Sequence, residues 1–191
     1  MVVIKIESTN KVLSPNGGLF VQKRVIDKLN LAKYLSKVLP KLKSKGKGEQ
    51  WDKVYCLIMG FILGADCLDD VGYYSTDPAF QAICTIRYAP NTLGEFLRSF
   101  SKATCESLND ELMKLSLRLR FSLKGKQKPK DKQFVLCLDS TKHEHCGEKI
   151  EGLQWTHDGK WCLDSLQAYD ELGFQYSFNL RPGATHTAEG A

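Results

Sequence analysis

Residues 124–132 read KGKQKPKDK, nine positions with five lysines and no apolar side chain. Such a stretch offers a core nothing to bury, so it reads as a linker between two modules. Before it, apolar residues recur at helical spacing. After it, they run continuously or alternate, as in strands. The charge divides at the same place. Residues 133–191 hold 4 Lys+Arg against 9 Asp+Glu, a net of −5, and residues 1–132 hold 23 against 13, a net of +10. A basic front and an acidic back suit two modules of different task, and a basic surface favours contact with phosphate.

The front reads as helices. VVIKIE at 2–7 alternates weakly as a short strand, SPNGG at 14–18 is a turn, and 1–18 forms an N-terminal segment before the helical region 19–123. Apolar residues from Leu19 to Leu39 predict one or two amphipathic helices stopped by Pro40, with a basic, glycine-containing loop at 41–50. A helix from about Asp52 to Gly64 is apolar nearly all round, which places it at the centre of a bundle. VYCLIMGFILGADCL contains Asp66 and falls short of the roughly 20 residues of a membrane span. Asp77-Pro78 marks a helix start. Thr92 and Glu95 have capping-box spacing ahead of a helix carrying Leu93, Phe96, Leu97 and Phe100. A last helix spans about 104–121.

The back opens with FVLCLDSTKH at 134–143, an apolar run that reads as a buried strand ending on Asp139. A long polar loop follows, then strands at 161–169 and 174–180 joined by a turn at 170–173. Seven scattered cysteines without a CxxC pair, and no signal peptide, suggest reduced thiols in the cytoplasm. His143, His145, Cys146 and His157 do not match a common zinc spacing.

Blocks along the chain, in the same order, resemble one family. GGLFVQKRVIDKLNL, LDDVGYYSTDPAF and PNTLGEFLRSF precede LDST, and IEG at 150–152 and LRPGATHTAEGA at 180–191 follow it. They resemble the DDE transposases of bacterial insertion sequences, in the group known as IS thirteen-eighty. Departures are Ala184 in place of Asn and Glu189 in place of Asp. The resemblance implies a helical DNA-binding region, then the first three strands of an α/β RNase H-like catalytic domain at 133–191. It implies Asp139 as the first catalytic carboxylate and a ligand of Mg2+. In such enzymes two metals activate a water or a 3′-hydroxyl for DNA cleavage and strand transfer.

The second and third carboxylates belong to later elements of that fold, so the chain reads as the N-terminal part of such an enzyme, inactive by itself. Asp164 and Asp170 lie in the hairpin and are not assigned those roles. DNA at the element's terminal repeats is the expected partner, with full-length transposase or a second copy as others, no membrane, and a cytoplasmic, nucleoid-associated location. Arg98 and Lys102 are candidate DNA contacts if the helices around them form a helix-turn-helix; Lys124, Lys126, Lys128 and Lys130 are candidate backbone contacts or a plain soluble linker. The alternatives are a non-catalytic DNA-binding regulator and a remnant whose partly built sheet leaves an edge and an apolar face uncovered.

Overall fold

Helix starts in the front half follow local capping chemistry. In this computed structural model, which describes residues 13–41, 48–123, 134–147, 149–186 and 188–189, α1 (Leu19–Leu29) and α2 (Leu31–Leu35) are separated by Asn30. Asn30 takes the left-handed conformation (φ 57°), which Asn tolerates better than most residues. α3 (Gln50–Ile62) starts two residues before the expected position, because the Asp52 carboxylate accepts the Glu49 backbone N–H at 2.7 Å. In α4 (Leu68–Tyr74), Asp70 accepts from the N–H groups of Asp66 and Cys67. α5 (Pro78–Ile83) begins as expected, Asp77 accepting from the N–H groups of Ala79 and Phe80 at 2.9 and 3.0 Å. Ser14 donates to the same carboxylate and so ties the segment ahead of α1 to α5.

The expected capping box at Thr92 does not form. α6 (Pro90–Arg98) begins two residues earlier, with extended Ala89 as its cap and Pro90 in the first turn. Proline's fixed φ is already helical and its missing N–H costs nothing there, so it outweighs a hydroxyl cap further on. The core of this unit joins Cys56, Leu57 and Met59 of α3 with Val71, Phe80, Ile83, Leu93 and Phe96. α3 is central over its first turns, but Phe61 and Ile62 at its end are exposed, as is Leu97. Lys53 is buried beneath the rings of Tyr88 and Phe96, 5.0 and 6.0 Å from their centroids.

The chain divides into two compact units, one ending at Thr104 and the other beginning at Cys105. Most of α7 (Lys102–Ser122), grouped above with the helical front, therefore lies with the strands. Asn109 donates to the Phe178 carbonyl at 3.0 Å and accepts its N–H at 3.1 Å, and Arg120 reaches Asp170 and Glu171.

Among its described residues the second unit holds four strands, one more than expected: β1 (Leu136–Glu144), β2 (Gln154–Trp155), β3 (Trp161–Asp170) and β4 (Gln175–Pro182). All pairs are antiparallel, and β3 is central, with β1 on one side and β4 and β2 on the other. Two expectations for β1 are corrected. It does not end at Asp139 but runs on to Glu144, because polar residues that alternate sides still satisfy a ladder. Nor is it buried: Leu136 and Leu138 are 48% and 51% exposed, and among the described residues β1 pairs only with β3. The strand at 2–7, most of the 41–50 loop and the lysines of 124–132 lie outside the described residues. Among the described residues, no helix is long and apolar enough to cross a membrane.

A methyl at Gly60 would lie 2.7 Å from a Val71 methyl, so α3 and α4 meet at a glycine. Gly60→Ala is expected to destabilise the chain by about 1–2 kcal/mol in urea unfolding, overlap outweighing the gain in helix propensity. In a Val71→Ala background the same change becomes neutral or stabilising; equal losses in both backgrounds would refute the packing account.

Candidate functional site

Side chains alternate across β1, so LDSTKHE serves two different surfaces. The register puts Leu136, Leu138, Ser140, Lys142 and Glu144 on one face with Asp170, Ala168, Leu166, Asp164 and Cys162. Cys137, Asp139, Thr141 and His143 lie on the other, opposite Tyr169, Gln167, Ser165 and Leu163. Phe178, Leu180 and Pro182 of β4 join this second face.

The first face is organised around a buried carboxylate. Asp164 has no solvent exposure and accepts from Ser140 Oγ at 2.8 Å and Arg181 Nε at 2.9 Å, with Arg181 Nη2 also in contact. Lys142 Nζ stands 3.5 Å away. Burial pushes the Asp164 carboxyl upward, but the hydrogen bonds of Ser140 and Arg181 and the two positive charges together hold it below its usual range. Lys142 also donates to the carbonyls of Gly183 and Thr185, and Arg181 to that of Glu189. The Gly183 N–H reaches the Gly152 carbonyl at 3.1 Å. LDST with Lys142 and LRPG therefore meet around one aspartate, and IEG is tied to LRPG through the Gly183–Gly152 hydrogen bond.

Asp170 anchors the other end. Burial raises its carboxyl, and Tyr176 Oη at 2.7 Å, the N–H groups of Phe174 and Leu172, and Arg120 overcome that to lower it. Burial and the hydrogen bond to Asp170 push the Tyr176 hydroxyl up to about 12. The Arg120 guanidinium also covers the Phe134 ring, 4.6 Å from its centroid.

The second face is open. Asp139 is exposed, with Thr141 Oγ1 at 3.5 Å. His143 shares a 2.8 Å hydrogen bond with the buried Ser165 hydroxyl. His145, Cys146 and His157 are exposed. Magnesium takes several oxygen ligands, and Asp139 supplies one carboxylate; among the described residues no three acidic, His or Cys groups converge to hold a metal. Asp164 and Asp170 are committed to their own ion pairs, so the described residues do not by themselves fit a magnesium site.

In the first unit Arg98 closes α6 and Lys102 opens α7; both are exposed and a short turn apart in sequence. Lys124, Lys126, Lys128 and Lys130 lie outside the described residues. Sequence reasoning missed the Asp164 and Asp170 networks, because opposing Lys142 and Arg181 to Asp164 takes the strand register. It also left unpaired the indoles of Trp155 and Trp161, which lie 5.4 Å apart.

Both aspartates have lowered pKa values, so their stabilisation is present above the ordinary carboxylate range and is lost as pH falls through it and below. Asp170→Asn takes away one of the two carboxylates of Arg120, leaving Glu171, and is expected to cost about 1–3 kcal/mol at pH 7. Urea unfolding followed by tryptophan fluorescence in a Trp51→Phe background checks this; the variant should also lose part of the wild-type decline below about pH 4.

The chain matches no family model, no curated protein and no solved structure, which leaves its own residues as the basis for assigning a function.

Proposed function

We propose that this chain carries the DNA-recognition region and the opening strands of the catalytic domain of an insertion-sequence DDE transposase. What carries the proposal is the placement of Asp139. It is exposed on a strand whose outer edge is unpaired among the described residues, beside which a further strand would bring a second carboxylate. The antiparallel order β1–β3–β4 agrees with the first three strands of an RNase H-like sheet. The ordered sequence blocks give independent support.

DNA affinity in this proposal comes from lysine-rich segments and helix ends rather than from the sheet. KLKSKGK at 41–47 and KGKQKPKDK at 124–132 together hold nine lysines, and Arg98 and Lys102 add two cations near a helix junction. Each phosphate neutralised releases counterions, so binding should weaken steeply with salt.

A second, narrower role is occupancy of element ends without chemistry, alone or beside a full-length transposase. In either role magnesium-dependent cleavage requires acidic ligands beyond those described.

The test is equilibrium binding of the 191-residue chain to terminal inverted repeats and to random duplex across a salt series. The repeats should bind more tightly. Arg98→Ala with Lys102→Ala should lower the slope of log affinity against log salt by up to about 2. Equal affinity for both DNAs would count against the proposal. With magnesium the chain should leave the repeats uncut, whereas cleavage abolished by Asp139→Ala would show that the described residues suffice for chemistry.

A further inference from the structure

Trp155 is 65% exposed although it belongs to a paired strand, an unusual place for the largest side chain. Its neighbours are fixed by strand pairing and hydrogen bonds. Trp155 pairs with Trp161 across β2 and β3, the two rings 5.4 Å apart and tilted by 46°. Trp161 Nε1 donates to the Gly147 carbonyl at 3.0 Å, which fixes the inner indole. The connecting turn is locked by buried Thr156, whose N–H reaches the Lys160 carbonyl at 2.9 Å and whose hydroxyl accepts the Lys160 N–H at 3.0 Å. Little freedom remains to be lost when a flat ligand lands on the outer ring.

The register places this pair on a particular side. Trp161, like Ser165 and Gln167, occupies an odd position of β3, so both indoles share the sheet face that presents Asp139. Asp139 opposes Gln167, six residues along β3 from Trp161. At about 3.4 Å per residue that is roughly 20 Å.

Charge narrows the ligand. Residues 133–191 carry a net of −5, and Lys160, the cation nearest the pair in sequence, is bound to Glu144 at 2.7 Å. Phosphate is therefore a poor ligand for this end of the sheet, whereas the π-face of an uncharged base is not.

We propose that Trp155, backed by Trp161, is a stacking platform for an unpaired DNA base, about 20 Å along the same face from Asp139. This rests on the DNA-binding role proposed above and adds to it a site and a substrate form: a strand end or melted base rather than intact duplex.

The probe is a terminal-repeat duplex with three unpaired 3′ nucleotides, the middle one 2-aminopurine, alongside the blunt duplex and cellohexaose, with the full 191-residue chain. Wild type should change the 2-aminopurine fluorescence and prefer the overhang. Trp155→Ala should weaken overhang binding about 5- to 30-fold and leave blunt-duplex affinity unchanged, and Trp155→Phe should keep most of the preference. Overhang binding that Trp155→Ala does not alter, or equal losses on both duplexes, overturns the platform while DNA binding stands. Failure of wild type to bind either duplex overturns both proposals. Tryptophan quenching by the oligosaccharide and not by the overhang would assign the platform to a sugar and overturn the nucleobase proposal.

Discussion

The Asp164 carboxylate holds the second unit in register. A buried charge costs several kcal/mol unless its partners replace the water it has lost, and Asp164 collects three partners from two strands. Two cations around one anion leave a surplus positive charge. Lys142 and Arg181 spend it on the carbonyls of Gly183, Thr185 and Glu189, drawing the segment after β4 onto the sheet. A one-residue slip of β1 would send Lys142 to the opposite face and bring Asp139 or His143 into the clamp, so the ion pair excludes neighbouring registers. That exclusion keeps Asp139 on the open face.

The two units solve the same packing problem with different chemistry. The first closes on Met59, Phe80, Leu93 and Phe96, and capping carboxylates at Asp52, Asp70 and Asp77 start its helices. The second buries fewer large apolar side chains and relies on two charged networks, at Asp164 and Asp170. Its apolar excess sits instead on the surface, at Leu136, Leu138, Phe178 and Leu180.

Much of this was legible in the sequence where local chemistry decides. Asp77-Pro78 starts a helix because cap and proline act within one turn, and Asp170 organises the hairpin turn through neighbours two and four residues away. Long-range effects were not legible. Thr92 lost its cap role to Ala89, because Pro90 starts the helix two residues earlier. α7 reads as a helix from its own spacing, yet its attachment depends on Arg120 finding Asp170, fifty positions on. LDST singled out Asp139, but Ser140 and Lys142 of the same stretch face the other way and belong to the scaffold, which only alternation across a known register reveals.

The geometry of the Asp170 turn also sets an order of assembly. The chain reverses between β3 and β4 within a few residues, with the Asp170 carboxylate accepting from the N–H groups of Leu172 and Phe174. β1 reaches β3 only after the far longer excursion from His145 to Lys160 is closed. Short closures form sooner than long ones. Closure length therefore places the hairpin ahead of β1, so that the strand bearing Asp139 joins a sheet edge already formed by β3 and β4.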